Sequence, residues 1–89
     1  MLKWYKTDDF CGECWDLELI QPKKVGTFWY SQAIIRLGHY TDEDNSWQVN
    51  ENSYLAKIID VSKSFRKIDT AKAYVERVLL QIGKNMKVK

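Results

Sequence analysis

Cys11-Gly12-Glu13-Cys14 sets two thiols three residues apart. That spacing serves disulfide oxidoreductases and supplies half of a tetrahedral zinc site. A redox pair needs a helix N-terminus to stabilise its thiolate, but Trp15-Asp16-Leu17-Glu18-Leu19-Ile20 alternates like a strand, and the acidic neighbours Asp8, Asp9 and Glu13 oppose a second negative charge. A zinc site can draw on Cys11, Cys14 and His39, with a carboxylate such as Asp42 or a residue from another copy as fourth ligand. The chain has only two cysteines and one histidine, so no second ligand pair completes the set. The expectation is two reduced thiols beside a glycine turn, with no metal and no cofactor; an oxidising compartment would allow a local Cys11–Cys14 disulfide. Asp42-Glu43-Asp44-Asn45 lacks the mid-loop glycine and distal glutamate of a calcium loop. His39 has no nucleophile arranged with it, and phosphate-binding, zincin and nucleophile-elbow patterns are missing. The chain is expected not to be an enzyme.

Two other groups of residues can make contacts. Residues 1–61 hold six Lys/Arg against ten Asp/Glu, and residues 62–89 hold eight against two. The basic C-terminal part offers Lys63, Arg66, Lys67, Lys72, Arg77, Lys84 and Lys87 to a polyanion, which makes nucleic-acid binding one candidate function. The second group is Phe28, Tyr30, Ile34 and Arg36, joined by Leu80. An aromatic, aliphatic and arginine cluster on an open sheet face has the composition of a protein interface.

These residues need a scaffold, and the periodicities describe one. Apolar residues at 68, 71, 75, 78, 79 and 82 recur with helical spacing, so a helix is expected over 69–82. Asp69 or Thr70 can cap it, Gly83 suits a left-handed end, and Lys84 and Lys87 suit the negative end of its dipole. Leu80 falls opposite the apolar stripe. Residues 15–20 read as a strand with Trp15, Leu17 and Leu19 inward. Residues 27–40 read as a longer one, with Trp29, Ala33, Ile35 and Leu37 on one face and Phe28, Tyr30, Ile34 and Arg36 on the other. Residues 53–65 read as a third, interrupted at Lys57, while 47–49 and 1–6 are candidate short strands. Residues 21–26 are expected to turn and 42–46 to form a polar loop. Strands followed by a helix, with connections too short for parallel crossovers, give an α+β domain: an antiparallel sheet of three to four strands with one C-terminal amphipathic helix on one face. The other face is either open to a partner or covered by the N-terminal segment with Leu2, Trp4, Tyr5 and Phe10.

The 89 residues fit one domain, with 84–89 a flexible basic tail. Four Trp, five Tyr and three Phe give a short chain large side chains to bury. No window reaches the ~20 apolar residues of a membrane span, and the N-terminus lacks a signal-peptide core, so a cytoplasmic location without membrane contact is expected.

The run Phe65-Arg66-Lys67-Ile68-Asp69-Thr70-Ala71-Lys72-Ala73-Tyr74, placed after strands, resembles the strand-to-helix junction of plant AP2-type DNA-binding domains and their relatives in phage integrases. The resemblance covers about ten residues and implies a three-stranded sheet that reads a DNA groove. Acidic Asp16 and Glu18 stand where such readers carry arginines and tryptophans, so no binding residue is carried over. The first expectation is therefore a small non-enzymatic module that binds another protein or itself, a description that suits many inhibitors of host machinery carried by phages and mobile elements. Nucleic-acid binding is the alternative.

Overall fold

A computed structural model of the chain describes residues 2–9, 12–40 and 45–83. It is an α+β fold that has, among the described residues, seven strands, β1 (Lys3–Asp9), β2 (Gly12–Glu18), β3 (Lys23–Val25), β4 (Phe28–Tyr30), β5 (Ile35–Tyr40), β6 (Ser46–Val49) and β7 (Ser64–Phe65), and one α-helix, α1 (Ile68–Ile82). Five strands form an antiparallel sheet in the order β1-β2-β5-β6-β7; β3 and β4 pair as a separate two-stranded ribbon. The sheet is thus larger than the three to four strands expected.

Alternation along the strands sorts the main sheet into two faces. The register sets Trp4 against Leu17, Leu17 against Ile35, and Leu37 against both Trp15 and Val49. These residues share a face, and α1 lies on it. Leu17, Ile35, Leu37, Val75 and Leu79 are wholly buried there, with Leu2, Trp47 and Val49 close to it. Each such side chain contributes about 1.5–3 kcal/mol of burial. The opposite face carries Thr7, Cys14, Asp16, Glu18, Arg36 and Ser46, and the ribbon covers part of it.

Several expectations change. The single strand over 27–40 is two strands separated by 31–34. The Gln32 N–H is taken by the Glu18 carboxylate and the Ile34 N–H by the Leu17 carbonyl, so this stretch leaves the ladder. Residues 23–25, expected to turn, form β3; the turn falls at Gly26 and Thr27, where Gly26 has φ +61°. β2 stops at Glu18, leaving Leu19 exposed rather than inward. The strand expected over 53–65 is mostly turn, with a short 3₁₀ turn at Ala56–Ile58 and only Ser64–Phe65 in the sheet. Side chains at its turns compete for the backbone: Asn50 Oδ1 accepts the Asn52 N–H, and Asp60 Oδ1 accepts the Ser62 N–H. The N-terminal segment does not fold over the second face. It is the edge strand β1, and Leu2 and Trp4 join the helix-side core.

The helix matches its expectation closely, with three differences. Lys67 occupies the cap position without a side-chain bond, and Asp69 sits in the first turn instead. Gly83 is extended (φ −144°) rather than left-handed, with its N–H on the Leu79 carbonyl. Ile82 is exposed, while Tyr74 is buried and its hydroxyl accepts the Asp60 N–H. Phe10, Cys11, residues 41–44 and residues 84–89, where the polar loop and the flexible tail were expected, lie outside the described residues.

Candidate functional site

The ribbon has an inner and an outer side. Lys24 and Trp29 are register partners on the inner side, and both reach Asp8 of β1: the Trp29 indole N–H donates to Asp8 Oδ1, and Lys24 Nζ lies 3.8 Å from it. Val25, Phe28, Lys23 and Tyr30 therefore point outward, and Phe28 and Tyr30 are about 70% exposed (71% and 67%). A two-stranded ribbon that turns Phe28 and Tyr30 to solvent contributes no side chain to the core.

Beneath the ribbon's end lies a buried polar cluster. Arg36 grips Asp16 with two hydrogen bonds, Nε to Oδ1 at 2.7 Å and Nη2 to Oδ2 at 2.8 Å, and the Thr7 hydroxyl is 3.1 Å from Oδ2. Glu18, two residues along the same face, accepts the Gln32 N–H at 2.7 Å on Oε1. Ser31 Oγ lies 3.0 Å from both Asp16 Oδ2 and Glu18 Oε2. Loss of hydration raises the Glu18 pKa above its ordinary range, with the nearby Asp16 charge adding to the rise and the Gln32, Ser31 and Arg36 interactions opposing it.

Past the Leu17–Ile35 pair, β2 and β5 part. The parted chain segments line an apolar groove of about 400 Å³ formed by Leu19, Ile20, Gln32, Ala33, Ile34 and Tyr54. Leu19, Ile20 and Tyr54 are all strongly exposed. On the other side of Ala33 lies a polar groove of about 270 Å³, lined by Ser31, Arg36, Asn50, Asn52 and Ser53. Ala33 is common to both, so an apolar and a polar recess adjoin.

The proposed interface residues do not form one face. Phe28 and Tyr30 are on the outer side of the ribbon, Ile34 is half-buried against the core at the apolar groove, and Arg36 is committed to Asp16 beside the polar groove. Leu80 is exposed on α1. Among the basic residues, Lys72 Nζ sits 3.5 Å from the centre of the Trp15 ring system and 5.8 Å from that of Trp4. Burial there lowers the Lys72 pKa, with Asp69 and Glu76 pulling the other way. Lys63 Nζ lies 4.8 Å over the Tyr74 ring. Arg66, Lys67 and Arg77 are exposed; Lys84 and Lys87 fall outside the described residues. Cys14 is buried on the ribbon side with its thiol 3.7 Å from the Gly12 carbonyl, whereas His39 stacks on Trp47 on the helix side with ring centroids 4.4 Å apart. The sheet separates these two proposed zinc ligands, and Cys11 lies outside the described residues.

Ile20, Ser31 and Tyr54 were not singled out from the sequence, and Leu19 was expected to point inward. Pro22 was the available signal, since a proline close after a strand marks where pairing cannot continue. No family model matches this chain, and neither a curated protein nor a solved structure resembles it significantly.

Proposed function

We propose that this chain is a non-enzymatic binding module that receives an extended segment of a partner protein in the grooves on either side of Ala33. The supporting observation is the exposure of Leu19, Ile20 and Tyr54 around one groove at the point where β2 and β5 part. Large apolar side chains converging on a recess are a feature of interaction sites, unlike apolar residues scattered singly. The apolar recess suits one aliphatic or aromatic side chain. The neighbouring Asn50, Asn52 and Ser53 suit the amide groups of the same segment, since side-chain amides and hydroxyls both donate and accept. Phe28 and Tyr30 on the ribbon supply further contact area. A role as an inhibitor of host machinery is compatible with this mode of action.

Selection of peptides from a random display library against the full chain tests the reading. Selected peptides are expected to carry an apolar residue and to lose binding to Ile20→Asp and to Tyr54→Ala, with circular dichroism unchanged because both side chains are exposed. Peptides that bind these variants as well as the parent chain would count against the grooves.

Exposure of Arg66 and Lys67 at the start of α1, where first-turn N–H groups favour anions, supports nucleic-acid binding as a second reading. That reading expects affinity to fall steeply with salt. It draws little on Lys63 and Lys72, which lean on aromatic rings.

A further inference from the structure

Residues 23–32 contribute no side chain to the hydrophobic core. Among the described residues, every hydrogen bond and ion pair from this stretch to the main sheet ends on a carboxylate: Trp29 and Lys24 on Asp8, Ser31 on Asp16 and Glu18, and the Gln32 N–H on Glu18. The ribbon is thus docked on acidic groups.

Counting hydrogens at Ser31 exposes a shortage. Its Oγ stands 3.0 Å from two carboxylate oxygens, Asp16 Oδ2 and Glu18 Oε2, yet a hydroxyl has one hydrogen to donate. With both acids ionised, one of these contacts would set two acceptors face to face in a buried place. Arg36 grips Asp16 at two points. Glu18 has no such grip: it is about 1% exposed, and among the described residues no cation is in ion-pair contact with it.

We propose that a proton locks the ribbon: Glu18 carries it on Oε2 and donates it to Ser31 Oγ, while the Ser31 hydroxyl donates to Asp16 Oδ2. Glu18 Oε1 remains the acceptor for the Gln32 N–H, so each hydrogen in the chain of contacts has one acceptor. The other charged and titratable groups on this face fit the arrangement. Tyr5 and Lys3 are the β1 register partners of Asp16 and Glu18, and Lys3 is exposed to solvent. Arg36 is turned to Asp16, and Lys24 is at Asp8. Docking strips water from Glu18 and so favours its neutral form; by linkage the proton favours docking. Raising the pH through the Glu18 range loosens the ribbon and frees its aromatic side from its present position.

Carboxyl carbon NMR of the full chain between about pH 4 and about pH 8, combined with hydrogen-exchange protection of the Gln32 amide and the Trp29 indole N–H, tests this. Glu18 is expected to titrate above the ordinary glutamate range, with ribbon protection falling as it ionises, by about tenfold for each pH unit by which docking raises its midpoint. Glu18→Gln places an amide N–H where the carboxyl hydrogen sat, so its ribbon should remain protected and lose this pH dependence. A Glu18 midpoint at or below the ordinary range, or protection that rises as Glu18 ionises, would overturn the proposal in the wild-type chain whether or not the variant folds. Undocking of the ribbon in a folded Glu18→Gln variant would overturn it too.

Discussion

The two faces of the main sheet are closed by opposite means. On one, Leu17, Ile35 and Leu37 meet the apolar stripe of α1, a non-directional contact that grows with buried area. On the other, a short ribbon is tied down through Asp16 and Glu18, and through Asp8 of the edge strand β1, contacts that depend on geometry and charge. The helix side holds the fold together. The ribbon side is left with exposed aromatics, a polar groove that adjoins the apolar one at the sheet's end, and a buried acid, which makes it the side on which contact and response are expected.

The difference can be broken most forcefully at Arg36. Arg36→Ala strands the fully buried Asp16 carboxylate, and a loss of about 3–5 kcal/mol in denaturant unfolding is expected. A smaller loss would mean that water enters the cluster easily. Leu79→Ala on the helix side should cost about 2–5 kcal/mol, and should lower protection in both halves of the molecule together. Ser31→Ala is expected to cost about 1 kcal/mol, with lost protection confined to the ribbon and the core unchanged. Loss of protection across the core in Ser31→Ala would erase the distinction between the faces. The smallest effect belongs to the contact surface itself: Phe28→Ser and Tyr54→Ala should leave stability within about 0.5 kcal/mol of the parent.

The pH response sharpens the same contrast. The folded-state pKa of Glu18 is raised, so the folded protein holds that proton more tightly than the unfolded chain. Its contribution to stability is complete below the unfolded-state value and is lost as pH rises through the folded-state value. Glu18→Gln should therefore flatten stability against pH in that window and raise stability at neutral pH.

The helix side was legible because its signal is periodic. The residues at 71, 75 and 79 that close the core are the ones whose spacing defines α1, and Trp15 and Leu17 alternate into the same core. The ribbon side was legible only in pieces. Asp16, Glu18 and Arg36 have the parity of one face, but nothing local says that Ser31 and Gln32 will be drawn out of a strand by two carboxylates contributed from β2. Phe28, Tyr30, Ile34 and Arg36 likewise share a parity, and that parity lost its meaning once the chain broke at 31–34. Residues 53–65 misled for a related reason: β-branched and aromatic residues favour a strand, and Asn50 and Asp60 overrode them with local turn bonds.

The most direct measurement is a residue-resolved map of binding on the isotope-labelled full chain, titrated with a peptide selected against it. Shifts are expected at Leu19, Ile20, Ala33, Ile34 and Tyr54, extending to Asn50 and Asn52, with the exposed side of α1 unmoved. Shifts centred on Arg66, Lys67 and Arg77 would contradict the assignment of contact to the ribbon side.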